Sequence, residues 1–268
     1  MNNKNLDDFK SDGYIIFPKI FSKKVTDILT LEINILKNKI YETGILPDKV
    51  KFQNYNGLEK IHSQCNVWKS NSKFKKIVLN KTLGKKAASL MGWDGVRVNQ
   101  DTLFTVSSGF GPTTFHQDNP YQDWHTSDGV ITAIIALKKI TKPMGCLIFI
   151  PKSHKWQSNN NRLTTDFIGS VDPLRDLNNS IQDNKIKVIS KKYIEMEAGD
   201  VSFHHGNLWH GSGLNKSNID RETLSIHFMQ HDAKFSDKTR NPWFSRYQLN
   251  GTTEMNESFF PITWKKNR

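Results

Sequence analysis

From Val96 onward the chain breaks into short runs of β-branched, aromatic and aliphatic residues punctuated by Gly, Pro and Asn, and this limits the fold more than any other feature. Eight runs recur: Val96 to Val106, Thr113 to Gln117, Val130 to Lys138, Cys146 to Ile150, Tyr193 to Met196, Asp200 to His204, Leu208 to Ser212 and Arg221 to Gln230. They predict a mainly β protein of two packed sheets, and eight strands is the number that a double-stranded β-helix, the jelly roll of cupin-like proteins, requires. In the last run Leu224, Ile226 and Phe228 share one face while Arg221, Thr223, Ser225 and His227 share the other. A polar inner face suits a barrel that holds a ligand better than a packed core.

Upstream the period changes. Asp7 to Phe21 reads as a short polar helix followed by the strand-like GYIIFPKIF. Ser22 is a candidate N-cap, and Val25, Ile28, Leu29, Leu31, Ile33, Leu36 and Ile40 recur behind it near helical spacing, which predicts a helix from about Lys23 to Tyr41. Residues 44 to 66 carry Gly, Pro and Asn and predict a loop region with short strands. A second amphipathic helix is predicted from Lys73 to Met91, capped by Ser72 and ended by Gly92. These N-terminal helices would flank the sheet with their apolar faces. Between Lys155 and Lys192 the sequence turns Asn-rich and charged with few apolar residues, which predicts a mobile lid over the site. The 268 residues then form one domain: helical support over 1–95, a jelly-roll core over 96–230 carrying the insertion 155–192, and a C-terminal extension over 231–268.

Two segments carry chemistry. In FHQDNPYQDWH, strand alternation would send His116 and Asp118 to one side and Gln117 to the other. An imidazole, a carboxylate and a second histidine make the facial triad that holds Fe(II) and leaves positions open. A lone His-x-Asp is weak, because such pairs arise by chance and more often make a surface hydrogen bond. The second segment, LWHGSGLNKSNIDRETLSIHF, changes the balance: His210 and Ser212 share a strand face, and the strand opening at Arg221 can return beside them as a hairpin. His204 and His205 also lie near, but a strand aims only one of them inward and neither has the His-x-Ser setting of His210.

In combination the chain resembles the phytanoyl-CoA dioxygenase family of Fe(II)/2-oxoglutarate-dependent oxygenases over roughly residues 96 to 230. The resemblance rests on His116-Gln117-Asp118, Ala136-Leu137, Gly145 to Pro151-Lys152-Ser153-His154, Gly199-Asp200, and His210 through Ser212, Asn215 and Ser217 to Arg221. It implies that His116, Asp118 and His210 ligate iron. It further implies that Arg221, helped by Ser212, clamps the far carboxylate of 2-oxoglutarate, a role that the planar guanidinium fork suits, and that Asn99 contacts the same cosubstrate. Oxygen would be the other cosubstrate. The chain departs from the family at Lys152, where a glycine is common, at Thr105, where a lysine is common, and at Ile134, often a tryptophan. The carboxylate of Asp118 disfavours halogenation, since the related halogenases have a small residue there. Tyr121 and Trp124 would lie on a loop over the cleft, either packing it or walling the substrate.

The charge is +12, from 38 Lys and Arg against 26 Asp and Glu. It is compatible with an anionic small-molecule substrate, yet the lysines are scattered in short runs, as in a lysine- and asparagine-rich proteome. A nucleic-acid-directed oxygenase would want clustered cations interleaved with stacking aromatics, whereas Lys75-Lys76, Lys85-Lys86 and Lys138-Lys139 are isolated pairs. A non-catalytic jelly-roll binding module would not need a complete donor set. Cys65 and Cys146 make no disulfide framework, the N-terminus has no apolar leader, the C-terminus has no Ser-Lys-Leu address, and Gly129 to Leu137 is too short for a bilayer. A cytoplasmic enzyme with no membrane partner is expected, acting on a small molecule.

Overall fold

The amphipathic N-terminal stretches fold ahead of the sheet in three steps. Helix α1 (Asn3–Asp12) begins where the Asn2 side chain accepts from the Asn5 amide, and it stops at Gly13, whose φ of 82° is the left-handed conformation glycine adopts readily. Strand β1 (Tyr14–Phe17) and helix α2 (Lys23–Lys37) follow. The latter ends short of Tyr41 because Lys39 takes a φ of 58°. The computed structural model describes residues 2–55, 58–157, 170, 172–241 and 243–267, with 52–55 and 58–60 by backbone alone.

The single helix predicted over 73–91 is two helices, α3 (Ser72–Val78) and α4 (Lys81–Met91). Asparagine chemistry divides them. Asn80 accepts from the amides of Thr82 at 2.9 Å and Leu83 at 3.2 Å and so opens a new helix. Asn71, rather than Ser72, caps α3 in the same way. Between α2 and α3 the expected loop region holds a hairpin, β2 (Lys49–Tyr55) and β3 (Leu58–Cys65).

Each run predicted from Val96 onward contains a strand: β4 (Gly95–Val106), β5 (Thr113–His116), β6 (Ile131–Ala136), β7 (Leu147–Phe149), β8 (Lys192–Ile194), β9 (Val201–His205), β10 (His210–Ser212) and β11 (Arg221–Gln230). A further strand near the C-terminus, β12 (Ile262–Lys265), pairs with β4. Two antiparallel sheets result. The major sheet runs β1-β9-β6-β11-β4-β3-β2, with β12 beside β4, and the minor sheet runs β5-β10-β7-β8. This is the jelly roll, widened at the edges of its major sheet by β1 and the β2–β3 hairpin.

Alternation along β11 sorts the two faces. Leu224, Ile226 and Phe228 are fully buried in the main core with Val98, Leu103, Ile131, Ile135 and Phe203, where Leu29, Ile33 and Leu36 of α2 and Leu83 and Ala87 of α4 cover them. Thr223, Ser225 and His227 face the other way, into the space between the sheets. One irregularity matters: His227 pairs with Gln100 but Phe228 pairs with Val98, so Asn99 is the extra residue of a β-bulge.

The predicted lid falls in part within the described residues. Residues 158–169 and 171 lie outside the described residues, but helix α5 (Arg175–Asp183) packs on the outer face of β5. Leu174, Leu177 and Ile181, spaced i, i+3 and i+7, form a narrow apolar stripe, and Leu177 is buried with Phe115, Ile150 and Trp209. A simple count of apolar residues misses a stripe that lies on one face. Lys152, where the family favours glycine, has a φ of 70°, the region that makes glycine the natural occupant. Among the described residues no helix is long and apolar enough to cross a membrane, and Cys65 and Cys146 are both free.

Replacing Asn80 with Ala should lower stability by about 1 kcal/mol through the two lost cap bonds. Urea unfolding would read this as a lower midpoint with an unchanged slope; an unaltered midpoint would mean that the cap does not hold α4.

Candidate metal centre

Cross-strand pairing brings the two distant sequence segments together. His210 opens β10 opposite His116 at the end of β5, with the ring centroids 4.2 Å apart. Asp118 lies past the end of β5, in helical backbone geometry rather than on the strand. Its amide donates to the Gly206 carbonyl at 2.8 Å, and the Asn119 amide donates to the same carbonyl at 3.0 Å. The turn therefore delivers the carboxylate to the side that strand alternation predicted, by a different route. Gln117 does point away, donating its side-chain amide to the Asn207 carbonyl.

His116, Asp118 and His210 offer ligand atoms that all lie within 4.8 Å of one another. Each histidine Nε2 stands 3.7 Å from Asp118 Oδ1. The tautomers follow from the bonds: Nδ1 of His116 meets the Thr114 carbonyl at 2.8 Å and Nδ1 of His210 meets the Leu208 carbonyl at 2.9 Å. A carbonyl can only accept, so both Nδ1 atoms carry the proton and both Nε2 atoms keep the lone pair. Burial pushes both rings down to about 4, so they are neutral near pH 7. Burial alone would raise the Asp118 carboxyl, yet the imidazoles of His210 and His227 and the hydrogen bond from His204 hold it well below the usual range. Two neutral imidazoles and one carboxylate fit a divalent iron with open positions.

Further side chains fix Asp118 from behind. Thr132 Oγ1 donates to Oδ2 at 2.6 Å, and His204 Nε2 lies 3.2 Å from the same oxygen. His227 Nδ1 is 3.0 Å from Thr132 Oγ1, while Ser225 Oγ is 3.3 Å from His227 Nε2. The polarity of this chain is set, because the threonine hydroxyl gives its proton to the carboxylate and must accept from His227. With Oδ2 engaged, Oδ1 is the oxygen turned to the two histidines. Thr132 and its neighbours were not singled out by sequence: a threonine within ITAIIA reads as core, and only the pairings His227 to Thr132 and Thr132 to His204 reveal the row. His204 is the inward member of its pair; the His205 ring packs beside Phe9 and His154.

Arg221 lies in the same cavity and is 6% exposed. Its guanidinium donates to the Gly145 carbonyl and, at 3.3 Å, to Ser212 Oγ, which also accepts from the Thr113 amide at 3.1 Å. Burial pushes its pKa down to about 10, so it remains a cation. Among the described residues no carboxylate pairs with it. The cavity, about 340 Å³, is lined by Arg221, His116, Asp118 and His210 together with Tyr121, Phe104, Trp243 and Phe244. Trp124 borders it but is 2% exposed, packed among Phe235, Phe244 and Phe260. Asn99 is not among the lining residues; its amide nitrogen is 2.8 Å from Gln122 Oε1 and 2.9 Å from His125 Nε2, a position that follows from the bulge.

Two facing antiparallel sheets with two imidazoles and a carboxylate converging between them define a class, the jelly roll built around a metal with open positions. A family model described as phytanoyl-CoA dioxygenase (PhyH) matches residues 9–223, and the chain belongs to that family. Human peroxisomal phytanoyl-CoA dioxygenase is 32% identical over 132 residues, 46% of this chain and 35% of the human protein. A probable phytanoyl-CoA dioxygenase of Caenorhabditis elegans is 32% identical over 155 residues, 58% of this chain and 47% of the nematode protein. The chain thus spans less than half the length of these relatives. The crystal structure of the non-heme alpha ketoglutarate dependent carbocyclase SnoK from nogalamycin biosynthesis shares the fold with a TM-score of 0.76 at 20% identity, covering 98% of this chain and 96% of that one.

Thr132→Val keeps the shape and removes the hydroxyl, and it should weaken Mn(II) binding by about tenfold. Titration followed by electron paramagnetic resonance checks this; unchanged affinity would mean that the hydroxyl does not position the carboxylate.

Proposed function

We propose that the chain is an Fe(II)- and 2-oxoglutarate-dependent dioxygenase that hydroxylates or otherwise oxidises an unactivated C–H bond of a small molecule. The observation that carries this reading is Arg221: a buried cation beside an iron-type donor set, held by one carbonyl and one hydroxyl with no carboxylate partner among the described residues. A buried guanidinium left in that state is costly, and an anion placed against it removes the cost. The far carboxylate of 2-oxoglutarate has the planar shape that the fork binds.

His116, Asp118 and His210 hold the metal in this reading. Bound there, iron with 2-oxoglutarate and oxygen supplies the oxidising power for the C–H bond. The protein's own share is placement. Ser212 orients Arg221, and Thr132, His204 and His227 keep Asp118 turned to its histidines. Ile134, Ile140, Leu147, Ile194 and Met196 line the cavity with apolar surface. Phe104, Trp243 and Phe244 add an aromatic wall, where Tyr121 and Trp124 border the substrate. Asn99 acts at one remove, holding Gln122 and His125 beneath that wall. The chain works as one catalytic domain on these terms, with Asn241, Trp243 and Phe244 of the C-terminal extension lining the cavity. The two free thiols suit a reducing compartment such as the cytoplasm, and the lysine excess suits a small anionic substrate.

Arg221→Ala should cost about 2–5 kcal/mol in 2-oxoglutarate binding and far less in metal binding, measured by separate titrations of the two; equal losses would give Arg221 a structural role. Asp118→Ala should abolish substrate-dependent succinate formation, and an unchanged rate would remove the facial triad from the reading.

A further inference from the structure

The cavity does not end at Trp243 and Phe244. A second hollow of about 160 Å³, lined by Asp48, Lys49, Lys51, Ser63 and Cys65, shares Gln100, Thr102, Trp243 and Phe244 with it. Sheet register explains the connection. Lys49 pairs with Cys65, Cys65 with Thr102 and Thr102 with Ser225; one step along, Lys51 pairs with Ser63, Ser63 with Phe104 and Phe104 with Thr223. Residues paired across adjacent strands project from the same face. The two lysines therefore stand on the face that carries Thr223, Ser225 and His227. From β2 to β11 is three strand spacings, about 14 Å.

The charge in this hollow is one-sided. Asp48, its lining carboxylate, is already committed: it accepts from Lys69 Nζ at 2.8 Å, Asn66 Nδ2 at 2.6 Å and Arg246 Nη2 at 2.7 Å, and from the Tyr247 hydroxyl. Two cations thus share that carboxylate before Lys49 and Lys51 are counted, and among the described residues neither of those lysines has a carboxylate partner. Lys49 Nζ sits 4.1 Å over the Trp243 ring, at the junction of the two hollows. Burial and the neighbouring Lys51 both push the Lys49 ammonium below its ordinary value. Lys49 is half-buried and Lys51 exposed, and two like charges held side by side at the mouth of a hollow favour an anion between them.

We propose that Lys49 and Lys51 form an anion subsite that takes a carboxylate or phosphate at the far end of the substrate, whose apolar body passes Trp243 and Phe244 toward the donor set. This rests on the oxygenase reading for the position of the reacting carbon, not for the anion subsite itself. The subsite selects substrates by length and charge: an acidic group on one end, a C–H bond on the other, and aromatic walls between them.

Calorimetry on the metal-free protein with octanoate, octyl phosphate and octanol tests it. Wild type should bind both anions more tightly than octanol, and their relative affinities tell a carboxylate subsite from a phosphate subsite. Lys49→Gln/Lys51→Gln should lose about tenfold or more in anion affinity and leave octanol unchanged. The reversed pair, Lys49→Glu/Lys51→Glu, should prefer octyltrimethylammonium, a gain that misfolding cannot imitate. Equal binding of anions and octanol by wild type, wild-type anion affinity in the Gln pair (which would make Arg221 the seat), or no anion binding below about 1 mM would each overturn the subsite. Titration of the Fe(II)-loaded protein with 2-oxoglutarate separates the two readings: no 2-oxoglutarate binding alongside intact, lysine-dependent anion selectivity would overturn the oxygenase and leave the subsite standing.

Discussion

The pairing of His210 with His116 across the minor sheet is the contact on which the site depends. It joins two stretches more than ninety positions apart in the chain, and every other polar group near the centre is arranged around it. Asp118 reaches the pair only because its turn is bonded to Gly206 between β9 and β10. Arg221 enters the same cavity from β11 of the major sheet. The cavity exists because a row of threonine, serine and histidine occupies a face that could have been packed with leucine. That choice forgoes hydrophobic stabilisation, and the helices on the other face restore it by packing Leu29, Ile33 and Leu83 in one core with Phe228 of β11.

Much of this was legible in the sequence. Period-2 alternation in β11 gave its polar and apolar faces correctly, and short β-runs with their punctuation gave the strand order along the chain. The candidate ligands His116, Asp118 and His210 were implied by the family resemblance and do converge, but the hairpin expected between the His210 and Arg221 strands does not form, because β10 and β11 lie in different sheets. What escaped was decided by distant pairing. Thr132 sits in an apolar strand and becomes a partner of Asp118 only through register with His227 and His204. The division of the 73–91 helix depends on one side chain, the Asn80 cap, and the helix at Arg175–Asp183 on a three-residue apolar stripe. The bulge at Asn99 has no sequence mark, and it decides which way that amide points.

Burial and charge act together along the cavity. His116 and His210 are neutral because they are buried, and Arg221 stays charged in spite of it. A neutral ring keeps its lone pair for a metal, whereas a retained guanidinium charge calls for an anion. One low-dielectric space thus offers two kinds of chemistry a short distance apart.

The two sheets divide the labour. The minor sheet and the turn after β5 carry the candidate ligands His116, His210 and Asp118, while the hairpin β2–β3 lies at the margin of the major sheet, where β3 pairs with β4. Lys49, Lys51, Ser63 and Cys65 on it are none of the candidate ligands. Such a layout lets a lineage keep its reactive chemistry fixed while a peripheral flap drifts toward new substrates, so diversification is cheapest at that margin.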